Sequence, residues 1–94
     1  MNFKDKKIII TGATGGIGHS LVKKFCDSGG KILATGTKTE KLEKLKNEFS
    51  SIEIEQFKLN EHENIEKFIE TAVNRLGGLD ILVNNAGITL DNLS

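Results

Sequence analysis

Apolar residues are arranged in two alternating ways along this chain: short unbroken runs, and longer stretches in which they recur every three or four positions. The runs lie in Lys7-Ile8-Ile9-Ile10-Thr11, Lys31-Ile32-Leu33-Ala34-Thr35 and Leu79-Asp80-Ile81-Leu82-Val83-Asn84. Strands with such unbroken centres are buried on both faces, as in a parallel sheet. Between them, three sets of apolar residues have helical spacing: Ile17, Leu21, Val22 and Phe25; Leu42, Leu45 and Phe49; and Ile65, Phe68, Ile69, Ala72, Val73 and Leu76. Lys23, Lys24 and Asp27 fall on the outer face of the first of these helices. Ile52-Glu53-Ile54-Glu55-Gln56-Phe57 alternates apolar and charged residues, which predicts a half-exposed edge strand.

Glycines and capping residues mark the boundaries. Gly29-Gly30 and Gly77-Gly78 stop the first and third helices. Thr37-Lys38-Thr39-Glu40 has the form of a capping box for the second, and Asn60-Glu61-His62-Glu63 opens a third helix expected from Glu61 to Leu76. Strand and helix therefore alternate, which predicts an α/β fold with right-handed crossovers and a parallel sheet. In a doubly wound arrangement four strands lie in the order 3-2-1-4 with three crossover helices. Gly12, Gly36, Lys58 and Asn84 then emerge on one carboxyl edge, beside the crevice where the winding reverses. The fourth strand has a central strand's composition yet stands at an edge, and the sequence closes at Leu90-Asp91-Asn92-Leu93-Ser94, where a further helix is expected. Both features predict that residues 1–94 are the amino-terminal part of a larger fold.

Composition narrows the partners. Thirteen Lys+Arg balance thirteen Asp+Glu, so there is no basic footprint for nucleic acid and no polybasic membrane anchor. The single Cys26 excludes an internal disulfide and fits a reducing compartment. No apolar run approaches membrane-spanning length, and the opening Met1-Asn2-Phe3-Lys4-Asp5-Lys6-Lys7 contains no signal-peptide core. The expectation is a soluble, cytoplasmic protein.

The chemistry concentrates after the first strand, in Thr11-Gly12-Ala13-Thr14-Gly15-Gly16-Ile17-Gly18. A strand, a glycine turn and a helix start together direct backbone N–H groups at a phosphate. By analogy with the commoner dinucleotide fingerprint, Gly12 lets the chain leave the strand tightly, Gly16 leaves room for a pyrophosphate, and Gly18 admits close helix packing. A P-loop ending at Ser20 would need glycine at Ala13 and lysine at His19.

These residues resemble the short-chain dehydrogenase/reductase family. The resemblance rests on that Thr-Gly-x-x-x-Gly-x-Gly turn and on Asn84-Asn85-Ala86-Gly87 at the fourth strand, and it covers essentially the whole chain. Within the family, the opening residues and the run from Asn84 to Leu93 are most similar to 3-oxoacyl-acyl-carrier-protein reductases, which usually carry arginine where this chain has Leu90. The resemblance implies a Rossmann-type NAD(P)-binding fold. Gly12, Ala13, Thr14, Gly15, Gly16, Ile17 and Gly18 would hold the pyrophosphate and adenosine ribose, Thr37 would lie near the adenosine 2'-phosphate, and Asn85, Ala86 and Gly87 would line the nicotinamide-side ribose. Asn84 is expected to tie the fourth strand to its neighbours. Lys58-Leu59 takes the adenine-contacting position, where lysine cannot accept a hydrogen bond from the adenine amino group.

The tip of the second strand, Thr35-Gly36-Thr37-Lys38, has no acid to bind a ribose 2'-hydroxyl, which favours NADP over NAD. NADP-using relatives often carry arginine at Gly15 or Thr37. Here Lys38 reads either as the substitute cation or as a solvated first-turn lysine. His19 reads as an exposed helix residue, His62 has no metal-site partner, and Cys26 reads as packing.

The family reduces a ketone by hydride transfer, with tyrosine as general acid beside a lysine and a serine. This chain has no tyrosine, so no catalytic residue is assigned and no metal is expected. The acyl-carrier-protein-bound substrate is expected only for a full-length form. Two alternatives stand beside this reading: a nucleotide-binding module completed by a partner chain, and a non-functional truncated product. Exposed apolar surface on the fourth strand and beside Phe68 and Ile69 would favour the partner, and self-association is the expected consequence.

Overall fold

The computed structural model describes residues 3–57 and 65–85. They form β1 (Lys7–Ile10), α1 (Gly16–Asp27), β2 (Lys31–Gly36), α2 (Thr39–Glu48), β3 (Glu53–Gln56), α3 (Ile65–Leu76) and β4 (Ile81–Val83). All four strands are parallel, in the order β3-β2-β1-β4. The alternation of runs and helical stripes therefore translates into the expected doubly wound sheet, with strand ends shifted by one or two residues.

Register divides the core between the two faces. Ile8 and Ile10 align with Ile32 and Ala34 on one side and with Ile81 and Val83 on the other. Because side chains alternate along a strand, these residues share one face. They form a cluster with Val22 of α1, Leu45 of α2 and Ile52. Ile9 and Leu33 point the opposite way and pack with Ala72, Val73 and Leu76 of α3. Helices α1 and α2 thus cover one face and α3 the other. This follows from the winding: two crossovers run outward from β1, and the third returns past it. All three β1 isoleucines are fully buried, each worth about 1.5–3 kcal/mol relative to exposure.

Two expectations are corrected. Helical spacing puts Ile17 on the inward stripe of α1, but it is 70% exposed. It stands one residue inside the helix, where the chain is still leaving the turn, and the buried positions are Gly18 and Val22 instead. The capping box at Thr37 does not form: α2 begins at Thr39, its N-cap is Lys38, and no side chain caps it. The competing force is β3. Gln56 donates its side-chain amide to the Thr37 carbonyl at 2.9 Å, and the Phe57 N–H donates to Gly36 at 2.9 Å, so the backbone at Gly36 and Thr37 still belongs to the sheet. The predicted cap at Asn60-Glu61-His62-Glu63 lies outside the described residues.

β3 is an edge strand among the described residues, as its alternation implied. Glu53 and Glu55 point to the α3 face, where Arg75 reaches both at 2.6 and 2.5 Å and donates to the Ile54 carbonyl at 3.0 Å. Phe57 stacks on Phe68 with ring centroids 4.3 Å apart, and Phe68 and Ile69 are half-buried rather than exposed. Leu82 of β4 shares the α3 face and is 48% exposed.

Candidate functional site

The glycine turn is built by backbone geometry and held from three sides. Gly12 has φ +62°, in the left-handed region where a side chain is strained, and this reverses the chain at the end of β1. Ala13 is fully buried and donates its N–H to the Thr35 carbonyl at 2.9 Å, fastening the turn to β2. On the other side, Asn85 donates its side-chain amide to the Gly12 carbonyl at 3.1 Å. The Thr11 N–H donates to the Val83 carbonyl at 3.0 Å, and the Thr11 hydroxyl lies 3.2 Å from both that carbonyl and Asn84 Oδ1. The expectation that Asn84 ties β4 to its neighbours agrees with this geometry. Asn85 has a structural task of its own at the turn.

Gly16 and Gly18 separate into two roles. A Cβ at Gly18 would stand 2.3 Å from the Gly12 carbonyl oxygen and 2.6 Å from Ala13 Cα, so this glycine lets α1 lie directly on the turn. A Cβ at Gly16 would meet nothing within 4 Å. The space in front of the helix is therefore open, and the N-cap, Gly15, has no side chain to fill it. The first turn of α1 contains no acid. Its N–H groups present the positive end of the helix dipole to that space, which suits an anion such as a pyrophosphate.

Thr14 follows in the turn and leans over the tip of β2. Its Cγ2 would lie 3.2 Å from a Cβ built at Gly36, so that buried glycine gives it room. Thr37 and Lys38 come next and are exposed. No acid stands at this tip. From Thr14 a groove of about 280 Å³ runs between α1 and α2, lined by His19, Lys41, Lys44, Leu45 and Glu48. His19 Nε2 and Glu48 Oε1 are 2.9 Å apart, and the His19 ring lies against Phe49 with centroids 5.6 Å apart. His19 keeps the exposed helix position expected of it, its side chain 41% exposed, and also links α1 to α2. Lys41 and Lys44 were missed because in sequence they look like any solvated helix face; only the packing of α2 beside the turn brings them in.

The remaining site residues divide plainly. Gly12, Ala13, Thr14, Gly15, Gly16, Ile17, Gly18, Thr37, Lys38 and Asn85 stand on the carboxyl edge of the sheet, while Lys58, Leu59, Ala86 and Gly87 lie outside the described residues. Cys26 is far from this edge in the fold, packed against the core at the other end of α1. Burial pushes its thiol above the ordinary range, a hydrogen bond with Ser51 pulls the other way, and the Asp27 charge adds to the rise. A protonated, packed thiol is a poor nucleophile. No group of three or more metal-ligating side chains occurs among the described residues, and none of their helices is long and apolar enough to cross a membrane.

Comparison with known proteins agrees with this fold. The family described as short chain dehydrogenase matches residues 6–94. NADP-dependent 3-hydroxy acid dehydrogenase YdfG of Escherichia coli K12 is 36% identical over 84 residues, covering 88% of this chain and 34% of the relative. 3-oxoacyl-[acyl-carrier-protein] reductase FabG of Aquifex aeolicus is 34% identical over 98 residues, covering 99% of this chain and 40% of the relative. The crystal structure of 3-ketoacyl-(acyl-carrier-protein) reductase from Brucella melitensis complexed with NADH superposes with a TM-score of 0.82 at 28% identity, over 93% of this chain and 36% of that one. The chain thus spans between a third and two-fifths of the length of the proteins it resembles.

Proposed function

Because the chain belongs to the short chain dehydrogenase family, we propose that its 94 residues are the amino-terminal, NADP(H)-binding part of a cytoplasmic reductase. The observation that carries this reading is the turn at Gly12–Gly18, open in front of Gly16 and facing the uncapped start of α1. In this reading the amides at the start of α1 hold the pyrophosphate. Thr37 and Lys38 lie near the adenosine 2'-phosphate, Lys58-Leu59 take the adenine position, and Asn85, Ala86 and Gly87 line the second ribose. The acid-free tip of β2 supports NADP, because a carboxylate there would repel a 2'-phosphate. Among the relatives, the E. coli enzyme is named for NADP and the Brucella structure holds NADH.

The substrate class proposed is a 3-oxoacyl thioester on acyl carrier protein, met only by a full-length form. Similarity to reductases named for that substrate supports it. The nicotinamide, when bound, supplies the hydride. The residues here position that cofactor, and none is assigned the proton transfer to the carbonyl oxygen, since the chain contains no tyrosine. A second reading, a binding module completed by a partner chain, draws support from Leu82, 48% exposed on a strand that pairs only with β1 among the described residues. A reading frame encoding Tyr-x-x-x-Lys beside this one would favour it over a non-functional product.

Calorimetric titration with NADPH and separately with NADH tests the principal reading. Saturable NADPH binding with weaker NADH is expected. A chain that is folded by circular dichroism and binds neither would contradict it.

A further inference from the structure

The start of α1 is tied to its surroundings by one side chain. Gly16 and Gly18 have none, and Ile17 is 70% exposed. Ser20 turns back on its own helix and donates to the Gly16 carbonyl at 3.2 Å. Of residues 16–20, His19 alone has a side-chain hydrogen bond or ring contact with another element among the described residues. Its Nε2 lies 2.9 Å from Glu48 Oε1 at the end of α2, and its ring lies against Phe49, the C-cap of that helix. The contact bridges the groove between the two helices, whose lining also includes Thr14, Lys41, Lys44 and Leu45.

The same stretch of backbone faces the phosphate space. A site built from glycines has little to keep its amides aimed before a ligand arrives, and ordering it on binding costs affinity. A tie from His19 to α2 removes part of that cost in advance. The tie also depends on charge. A neutral imidazole offers a carboxylate at most a hydrogen bond, whereas an imidazolium adds an ion pair, and histidine is the side chain that changes charge between about pH 5 and 8. Few charged groups face His19. From α2, Glu48 attracts the imidazolium while Lys41 and Lys44 oppose it, and Thr14 brings no charge from the turn. On α1 itself, Lys23 is one turn further on and is paired with Asp27 at 3.4 Å. Glu48 is the group in contact, so its attraction outweighs the two lysines.

We propose that His19 is a positioning residue: bound to Glu48 across the groove, it holds the start of α1 ready for the pyrophosphate, more firmly when protonated. Dinucleotide affinity then rises as pH falls from about 8 to about 5.5. This rests on the dinucleotide reading above and adds to it a pH dependence that the glycine turn by itself does not have. The two side chains are 41% and 52% exposed, so solvent screening limits the effect to about threefold.

The test uses ADP-ribose, which carries the pyrophosphate but no phosphate monoester, a group that would itself titrate near about pH 6. Its affinity is measured by calorimetry at about pH 5.5, 7 and 8 for the wild type, His19→Gln, His19→Ala and Glu48→Gln. Both side chains are substantially exposed, so the variants are expected to fold as the wild type does. His62 is common to all four proteins, so differences between them isolate His19. The wild type should bind about threefold more tightly at the lowest pH than at the highest. His19→Gln, whose amide can still donate to Glu48, should stay near the wild type's weaker value throughout. His19→Ala should bind more weakly than His19→Gln, and equal affinities would overturn the positioning role. Glu48→Gln should lose the pH dependence although His19 still titrates. A profile that persists in Glu48→Gln would overturn the tie, because the imidazolium would then act on the phosphates directly. A wild-type profile that is flat, or shared with His19→Gln, would overturn this inference and leave the dinucleotide site standing. Failure of the wild type to bind at any pH would overturn the dinucleotide reading and this inference together.

Discussion

Gly16 and Gly18 are two residues apart in one helix, yet a methyl group has opposite meanings at the two sites. At Gly18 it would collide with the backbone of Gly12 and Ala13, and backbone cannot give way as a flexible side chain can. Gly18→Ala is expected to lower stability by about 3 kcal/mol in urea denaturation. Gly16→Ala should leave stability unchanged or raise it by up to about 1 kcal/mol, because alanine is the better helix former. Its cost should appear only in nucleotide binding, as a weakening of about tenfold or more where the methyl enters the phosphate space. A Gly16→Ala variant that binds normally would remove the pyrophosphate from this space. Cys26 provides a pH-dependent test away from the site. Burial raises its thiol pKa in the folded chain, so above the ordinary thiol range the unfolded chain gives up this proton first and binds fewer protons. Stability contributed by the neutral thiol is therefore complete at neutral pH and declines as pH rises through the raised value. Cys26→Ala should flatten that alkaline decline in denaturation midpoints, and an unchanged slope would place its origin elsewhere.

At the scale of elements, α3 is attached to the sheet by an apolar stripe and one polar clamp. Arg75 bridges Glu53 and Glu55, and chiefly the hydrogen bond with Glu53 holds its guanidinium above the usual arginine value. A raised basic pKa gives stability that is present below the unfolded value and lost only above the folded one, beyond any working pH, so Arg75 itself adds no pH slope near neutrality. The pairs are a third to a half exposed, which limits their worth. Arg75→Met should cost about 1 kcal/mol at low salt and less in 1 M salt. Arg75→Lys should recover little, because only the guanidinium fork spans two carboxylates. Equal midpoints for wild type and Arg75→Met would reduce the clamp to a surface ornament. The stripe on α3 was legible in sequence because Ala72, Val73 and Leu76 keep helical spacing. The clamp was not, since Glu53 and Glu55 looked like the solvent face of an edge strand until α3 crossed it. The same applies to Thr37: its capping box is a local signal, overridden by sheet bonds from β3 that lie nineteen residues away in the case of Gln56. Ile17 was misplaced for a related reason, as helical spacing cannot tell where the helix leaves the turn.

At the scale of the whole molecule, the sheet is well covered over β1 and β2 and thinly covered at β4. Leu82 faces the α3 side and is 48% exposed, an apolar position on a strand that has no second neighbour among the described residues. The chain is expected to self-associate at high concentration, and Leu82→Lys should shift light-scattering mass toward the monomer; a clean wild-type monomer would contradict this. The carboxyl edge of the same sheet carries the functional claim. It assembles the turn after β1, the tip of β2 and the Asn84-Asn85 pair after β4 into one surface, although 73 residues separate Gly12 from Asn85 along the chain. The most direct measurement is a two-dimensional amide NMR titration of the labelled chain with NADPH. Saturable shifts concentrated at Gly15, Gly16, Ile17, Gly18, Thr37 and Lys38 are predicted. Binding that leaves these amides unmoved, or a folded spectrum that does not respond at all, would contradict the assignment of this edge as the dinucleotide site.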